Sequence, residues 1–342
     1  MLSALLLASA QAVAAASPVV VPGKAFLPAS PAVQQALGEV RHLVPWDQDV
    51  GTVMQREGEV LAVRFNKDKV KETVKLPLFG EPEFATVPLA ACGELLLLHK
   101  FHNNGFKAFV VREGSLVADK TWDFALASAS CAGDELLLLP MLPPEEESKG
   151  GEPTILRVDL ATNSVETLGQ APAREKPTDP LPVYATLAGT RTKSGHIWTV
   201  GYYSGQIQRL SPQGKKLREL ALSQPLLPKP IGEQERRAMA DTLRGSVATD
   251  PTKRQPSSVR VLTPERHPLV RAVGAWGETL VLVTKNTEHP YVLLLDPEEQ
   301  APRIFQLPDT FNAARAAVTA EGVWFNEPLG LFPRELFTSP EP

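Results

Sequence analysis

Short apolar segments that follow a turn glycine recur along the chain. In most of them one or two polar residues separate the glycine from a run of aliphatic or aromatic residues; the glycines are Gly58, Gly93, Gly133, Gly195, Gly277 and Gly322. Consecutive glycines are 35, 40, 62, 82 and 45 residues apart. Four-stranded β-propeller blades repeat at about 40–50 residues. Three intervals are therefore close to the blade period, and two contain additional chain.

Each unit also has the same internal order of strands. An alternating strand precedes the glycine, the apolar strand follows it, and a third strand, a tight turn and a more polar fourth strand complete the unit. In the second and fourth units the last three strands are predicted at Leu95–Phe101, Lys107–Arg112 and Leu116–Phe124, and at His196–Tyr203, Gln206–Leu210 and Lys215–Leu222. Turn residues between such runs are typical of hairpins. Each unit is therefore predicted to be an antiparallel meander.

Several of the apolar runs are continuous rather than alternating. These runs are Leu95–Leu98, Leu136–Leu139 and Val292–Leu295. A strand that is covered on both faces shows this pattern, whereas a strand with one solvated face alternates. The runs therefore predict sheets that stack against one another.

The long intervals contain proline-rich segments. Pro143–Pro153 is charged and predicts a solvated loop. Ser223–Leu269 is proline-rich and contains a predicted amphipathic helix, Glu233–Arg244, that ends at Gly245. The alternative is that this second segment is a degenerate seventh blade, and Val259–Thr263 is a candidate strand in either case.

The N-terminal lead, residues 17–44, is the candidate for closing the ring. Propellers commonly close when an N-terminal strand joins the last blade. Val40–Val44 is predicted to do this against a blade that begins with Ala313–Thr319 and Gly322–Asn326. Leu331–Phe337 is predicted as the third strand of that blade.

The repeat resembles that of the secreted bacterial six-bladed β-propellers of the NHL-like group, over residues 45–327. The fold class predicted is all-β: a six-bladed β-propeller at 45–337 with a short helical, proline-rich insertion at about 223–269. A proline-rich helical insertion near this place also resembles that group. The alternative is a seven-bladed ring. Residues 338–342 are predicted as a C-terminal tail.

The first sixteen residues predict a signal peptide. No charged residue precedes Lys24, Leu2–Ala16 is apolar, and small residues offer cleavage sites before Pro18, although no basic residue precedes the apolar run. A run of about 15 residues is short for a membrane span of about 20. An uncleaved N-terminal anchor and a buried helix are the alternatives. The mature chain is predicted to be periplasmic or secreted, without a stable membrane span.

Cys92 and Cys131 are the two cysteines of the chain, and both lie just before turn glycines of adjacent units. Equivalent positions in neighbouring blades can approach to the Cα separation of about 5.5 Å that a disulfide needs. An exported chain favours pairing. The sequence therefore predicts a disulfide, and two buried free thiols are the alternative.

Composition restricts the class of partner. The chain has 342 residues, with 35 Lys and Arg against 39 Asp and Glu, so its net charge is −4. A nucleic-acid-binding protein needs a basic face, and this balance argues against one. The 43% of hydrophobic residues exclude general disorder.

Catalytic, cofactor and metal motifs are absent from the sequence. It has no His-Glu-x-x-His, Cys-x-x-Cys, phosphate-binding loop, EF-hand or Gly-x-Ser-x-Gly pattern. His99 and His102 are three residues apart, which on one strand places them on opposite faces. We therefore expect no catalytic residues, cofactor or metal ligands.

The loops between second and third strands should gather at one face of a propeller. Loops on a rigid scaffold are where binding residues concentrate. The candidate binding residues in these loops are His102, Asn103, Asn104, Tyr202, Tyr203, Asn286 and His289. The alternative for the asparagines is ordinary turn chemistry. The adjacent tyrosines are the stronger signal, because an exposed aromatic ring can anchor a partner.

These observations favour an exported, monomeric, non-catalytic propeller that binds a protein, peptide or glycan of the envelope or exterior at its loop-rich face. One alternative is a metal-dependent hydrolase with a channel-centred site, like the propeller lactonases. Another is a structural component of the envelope. Propellers host many unrelated activities, so fold alone does not decide between these functions.

Overall fold

The computed structural model describes residues 17–76, 86–102, 105–122, 126–140, 153–162, 164–170, 187–248 and 265–338. The helices are α1 (Pro31–Leu37), α2 (Glu233–Ala248) and α3 (Glu335–Thr338). The strands are β1 (Val19–Val20), β2 (Leu27–Pro28), β3 (Val44–Trp46), β4 (Asp49–Arg56), β5 (Glu59–Phe65), β6 (Val70–Leu76), β7 (Thr86–Cys92), β8 (Leu95–His102), β9 (Gly105–Arg112), β10 (Ser115–Trp122), β11 (Leu126–Ala132), β12 (Glu135–Pro140), β13 (Pro153–Asp159), β14 (Ser164–Gln170), β15 (Leu187–Arg191), β16 (Ile197–Gly201), β17 (Gln206–Leu210), β18 (Lys216–Ala221), β19 (Val270–Trp276), β20 (Thr279–Thr284), β21 (Tyr291–Leu295), β22 (Arg303–Gln306), β23 (Ala316–Val318), β24 (Gly322–Asn326) and β25 (Leu329–Pro333).

The strands form antiparallel meanders in a propeller-like arrangement. Two four-stranded sheets follow chain order, β11 to β14 and β15 to β18. A third sheet contains β19 to β22 with β1 at its edge, and a fourth contains β23 to β25 with β2 at its edge. An eight-stranded sheet contains β3 to β6 and β7 to β10, joined through the β3–β7 pair. The all-β class predicted from the sequence is confirmed at this level.

The first strands of the meanders face a common centre. In chain order they are β3, β7, β11, β15, β19 and β23; each contacts the next, and β23 contacts β3. Apolar clusters fill the space between consecutive meanders. Another apolar cluster joins the last meander, β23–β25, to strands β4 and β5 of the first meander. The described strands therefore close into a ring around a channel.

The continuous apolar runs lie between two layers, as predicted. Leu137 and Leu139 of β12 pack towards β15–β18, whereas Leu136 and Leu138 pack towards β7–β10. Successive side chains of a strand point to opposite faces, so one continuous run serves both neighbouring sheets. This double burial explains why these strands lack hydrophobic alternation.

Indole N–H groups link neighbouring meanders. Three tryptophans donate to a backbone carbonyl at the first turn of the next meander: Trp46 to Gly93 at 2.7 Å, Trp198 to Glu278 at 2.9 Å, and Trp276 to Thr319 at 2.7 Å. A buried indole N–H needs such a partner. These tryptophans therefore have a packing role.

The repeat register of the first unit differs from the prediction. Gly58 was predicted to precede a second strand, but it lies in the turn between β4 and β5. The first turn of this meander is at Asp47, whose φ of 54° equals that of Gly93 in the next meander. Aspartate is one of the few side chains that adopt this left-handed conformation readily. The absence of a glycine at Asp47 caused the error.

Ring closure also differs from the prediction. Residues 40–43 form no strand, and Val44 begins β3. Instead, β2 (Leu27–Pro28) pairs antiparallel with β25, and Ala29 N donates to Leu329 O at 2.9 Å. The lead residues 17–44 therefore supply the closing strand, but from an earlier position. The third strand of the last sheet is β25, and the chain turns into α3 rather than continuing as a strand to Phe337.

The long insertion contains the predicted helix. α2 spans Glu233–Ala248, beyond the predicted end at Arg244. The described residues of the insertion, 223–248 and 265–269, contain an isolated β-bridge between Pro230 and Arg266 but no strand. The candidate strand Val259–Thr263, residues 1–16 and residues 141–152 lie outside the described residues.

No helix in the described part of the chain is both long enough and apolar enough to span a membrane.

Candidate site at the loop-rich face

The loop-rich face is defined as the end of the ring where second strands end and first strands begin. Tyr202 and Tyr203 lie in the turn after β16, and Asn286 and His289 lie in the turn after β20. His102 ends β8, and its side chain lies outside the described residues, as do Asn103 and Asn104. Among the predicted residues, the structure brings the tyrosines against the turn that contains Asn286.

The two tyrosines form an aromatic pair. Their ring centroids are 5.3 Å apart at an interplanar angle of 75°, an edge-to-face geometry. Tyr202 packs against the apolar cluster between β15–β18 and β19–β22. Both side chains are half-buried, and burial raises the pKa of both phenols, so both are neutral near pH 7. Tyr202 is therefore anchored in the ring and positions Tyr203.

Lys285 faces this pair. Its Nζ donates to the Tyr202 hydroxyl at 3.3 Å and lies 5.3 Å from the centroid of the same ring. Its backbone N–H donates to Leu269 O at 2.7 Å. Burial, Arg315 and Arg271 together lower the pKa of Lys285 to about 8. The ammonium group is thus partly desolvated and beside other cations.

Arg271 lies at a β-bulge in the first strand of its sheet. The β19–β20 register shifts between Val270 and Ala272, so Arg271 is the extra residue. Bulges redirect a side chain and are frequent next to functional sites. Its Nη1 donates to Phe311 O at 2.5 Å and its Nη2 donates to Asn312 O. Burial and the nearby Arg315 lower its pKa to about 10.

Arg315 immediately precedes β23, and its backbone is fixed by Asn326. The Arg315 N–H donates to Asn326 Oδ1 at 2.6 Å, and Asn326 N–H donates back to Arg315 O at 3.2 Å. Asn326 Nδ2 also donates to Val40 O at 2.8 Å. Arg315 itself is exposed. Beside burial, its charge is among the causes that lower the pKa of His42.

Arg271, Lys285 and Arg315 are called the cationic cluster below. Within the described residues, none of the three forms an ion pair with a carboxylate. Two half-buried arginines elsewhere in the described residues pair with a carboxylate: Arg64 contacts Asp49 at 2.8 Å, and Arg191 contacts Glu135 at 2.7 Å. Two others, Arg218 and Arg266, donate to backbone carbonyls. The cationic cluster therefore concentrates uncompensated positive charge beside the tyrosine pair.

Asn286 and His289 have structural roles. Asn286 has a φ of 56°, its Nδ2 donates to Pro268 O at 3.0 Å, and its carbonyl accepts from Lys229 N–H. His289 Nδ1 lies 3.0 Å from a carboxylate oxygen of Asp309. The contacts of Asn286 match the alternative stated for the asparagines, ordinary turn chemistry, and His289 is engaged by a carboxylate of the neighbouring segment.

The base of the insertion borders the tyrosine pair. Leu269 N–H donates to Tyr202 O at 2.7 Å, and His267 N–H donates to Lys229 O at 2.9 Å. Gly205 has a φ of 68°, and a Cβ there would lie 2.8 Å from Leu227 Cδ2. This close approach allows the insertion to pack onto the turn of Tyr203. The insertion therefore forms one wall of the site.

The opposite end of the channel contains a cavity of about 330 Å³. Cys92 and Cys131 line it and form a disulfide between β7 and β11, with Cα atoms 6.1 Å apart. The two arginines of the cavity are already engaged: Arg191 pairs with Glu135, and Arg334 lies 5.3 Å from the Trp276 ring. Both arginines at this end therefore have a partner, unlike the cationic side chains at the loop-rich face described above.

The described residues contain no group of three or more His, Cys, Asp or Glu side chains placed to hold a metal ion. His99 is 7% exposed, and burial lowers its pKa to about 4. It is therefore a neutral buried residue at pH 7.

Sequence reasoning missed the cationic cluster. Arg271 occupies a first strand, and neither its bulge nor its nearness to Lys285 has a signal in the local sequence. Arg315 lies in the loop before a first strand, and a single cation in a loop does not by itself indicate a binding site. The available signal was positional: Tyr202 directly follows the second strand of its unit, and Lys285 directly follows the second strand of the next unit.

No protein-family model matches the chain, and neither does any curated protein sequence. A member of the DUF4221 family from Bacteroides vulgatus is similar in structure, with a TM-score of 0.51 and 10% identity over 87% of this chain and 89% of that one. Virginiamycin B lyase from Staphylococcus aureus has a TM-score of 0.42 and 12% identity, covering 87% and 80%. The Dos1 propeller has a TM-score of 0.40 and 11% identity, covering 84% and 65%. The first likeness shows the propeller fold, and no activity follows from it.

Proposed function

We propose that this chain is an exported, six-bladed, non-catalytic β-propeller that binds a protein, peptide or glycan at its loop-rich face. Tyr202 and Tyr203 form the anchor, and the cationic cluster lies beside them. The observation that carries the proposal is this aromatic pair, which is half-buried, positioned by the apolar cluster below it, and adjacent to uncompensated charge. Tyrosine and arginine are among the side chains most enriched at energetically important contacts.

The count of six blades is supported by how the eight-stranded sheet divides. Its halves, β3–β6 and β7–β10, are joined through one residue pair, Trp46 and Ala91. Each half has its own meander, and an apolar cluster lies between them as it does between the other meanders. This division supports a proposed ring of six units, in which the N-terminal lead completes the last one.

Export is supported by the apolar residues 1–16 and by the disulfide. Disulfides persist in oxidising compartments such as the periplasm and the exterior. The Cys92–Cys131 link joins two neighbouring meanders near the channel.

Binding to arrays of glycans and peptides tests the proposal. Purified wild-type protein should bind a defined subset, and Tyr203→Ala should lose that binding. Tyr202→Phe, which removes only the hydroxyl that accepts from Lys285, should weaken it. Leu116→Ser, on an exposed outer strand, is the matched control and should bind like wild type.

Mass spectrometry of each bound ligand after incubation tests the absence of catalysis. The ligand should be recovered with its mass unchanged. A cleaved or eliminated product would contradict the non-catalytic part of the proposal. An array without any bound member, or equal binding by Tyr203→Ala and wild type, would contradict the binding part.

A further inference from the structure

We infer that the cationic cluster binds an oxyanion group, a carboxylate or a phosphate, carried by the ligand that the loop-rich face takes up. The inference rests on the proposed function and assigns a ligand chemistry to the same face. It follows from three features of the cluster: its uncompensated charge, the backbone contacts that fix Arg271 and Arg315, and the unused donors of Lys285 and Arg315.

The charge of the cluster lacks a counter-charge among the described residues. The sequence carries more acidic than basic residues, 39 against 35, so a cluster of three cations without a carboxylate partner runs against the composition of the chain. A partly desolvated cation is costly unless it is paired. The half-buried Arg64 and Arg191 each have a carboxylate partner. An anionic ligand would supply the missing charge.

The positions of the cluster are fixed by backbone contacts. Arg271 leaves β19 at a bulge, and its guanidinium donates to the carbonyls of Phe311 and Asn312. That segment leads directly to Arg315, which Asn326 holds by two hydrogen bonds. Arg271 therefore positions the segment that presents Arg315, and the two charges are kept close without any acidic bridge.

The cluster retains unused donors. The Arg315 side chain donates to no described residue, and Lys285 Nζ donates to one neutral acceptor, the Tyr202 hydroxyl. A guanidinium fork matches the two oxygens of a carboxylate or phosphate, and hydrogen bonds with both partners charged are the stronger kind. Tyr203 packs against Tyr202, the residue that Lys285 contacts, and offers an aromatic surface for the uncharged part of the ligand.

Isothermal titration calorimetry with two probes tests the inference. Citrate and inorganic phosphate are titrated separately at constant ionic strength, and saturable binding of one equivalent is expected for at least one. Arg315→Gln and Lys285→Met should weaken this binding about 10- to 100-fold, as expected for loss of one charge-assisted contact. Lys215→Gln, an exposed lysine at the opposite end of the ring, is the charge-matched control and should leave it unchanged.

The two probes distinguish a carboxylate ligand from a phosphate ligand, and the pH dependence tests whether the charge of Lys285 contributes to binding. Preference for citrate assigns a carboxylate, and preference for phosphate assigns a phosphate. Between about pH 7.5 and pH 9.5 affinity should fall, because Lys285 loses its proton with a pKa of about 8. The groups that face Lys285 are Tyr202, Arg271 and Arg315. The pKa of Arg271 is about 10, and burial raises the pKa of the Tyr202 phenol, so both stay above that of Lys285. Lys285→Met should lack this pH dependence, and Lys285→Arg should restore binding.

Failure of the inference differs from failure of the proposed function. If neither probe saturates, or if Arg315→Gln and Lys285→Met bind like wild type, the anion site is wrong. Array binding that depends on Tyr203 would still support the proposed function in that case. Saturable anion binding without any array ligand would contradict the proposed function and leave the anion site supported.

Discussion

His99 gives stability a specific dependence on pH. It lies in β8, is 7% exposed, and its pKa is lowered by burial from the ordinary value of 6.5 to about 4. The native protein therefore keeps this imidazole neutral over a range in which the unfolded chain binds a proton. His99→Gln replaces it with a polar side chain that does not titrate.

The sign and the size follow from proton linkage. Below about pH 6.5 the unfolded state gains a proton at His99 and the native state does not, so the free energy of unfolding decreases as the pH falls. Each pKa unit corresponds to about 1.4 kcal/mol. Because the pKa of His99 is lowered from 6.5 to about 4, the free energy of unfolding falls by roughly 3 kcal/mol between neutral pH and about pH 4. Below that pH the native state is protonated as well, and the contribution becomes constant.

Urea unfolding of wild type and His99→Gln from about pH 7 down to about pH 4.5 measures this contribution. Other titrating groups are common to both proteins and cancel in the difference. Wild type should lose about 2 kcal/mol or more beyond the loss of the variant over this range. A difference below about 0.5 kcal/mol would show that His99 titrates normally and would refute the argument from burial.

Three further changes test the ring. Replacing both Cys92 and Cys131 with serine should lower the free energy of unfolding by about 4 kcal/mol, the value that the chain-entropy relation gives for a separation of 39 residues. An unchanged denaturation midpoint would exclude the disulfide. A chain that lacks residues 17–30 should unfold at markedly lower urea concentration than one that begins at Ser17, because β2 closes the ring; equal midpoints would contradict that closure. Trp276→Phe should cost about 1–3 kcal/mol, since Thr319 O loses its donor, and calorimetric unfolding without a shift would argue against the indole bond.

The overall architecture could be predicted because its signals are local. Turn glycines such as Gly93 and Gly133 adopt positive φ values that glycine tolerates without strain. The continuous apolar runs that follow them are buried on both faces. Both features act within one unit of the repeat, so periodicity in the sequence was sufficient to find them.

The sequence-based predictions were wrong where a tertiary contact, and not a local sequence pattern, determines the structure. Asp47 adopts the glycine conformation at the first turn, and its two carboxylate oxygens share one hydrogen bond from Gly93 N–H, which no repeat pattern shows. The closing strand β2 has two residues, too few for a hydrophobic period. It is placed by Phe26, whose ring packs against Phe311 and Phe332, residues about 300 positions away in the chain.

The site could be predicted in part. Adjacent tyrosines at the end of a second strand were visible in the sequence, and the structure places them beside Lys285. The asparagines were ambiguous, because the same residue type serves turns and ligands; Asn286 bonds to the backbone of its neighbours. The cluster of Arg271, Lys285 and Arg315 depends on three separate segments that meet only in the closed ring.

A crystal structure of the chain grown with the anion that binds more tightly tests the central claim most directly. The account predicts one anion at the loop-rich face, in contact with the side chains of Arg315 and Lys285 and beside Tyr203. An anion bound at another surface, with these two side chains directed to solvent, would contradict it.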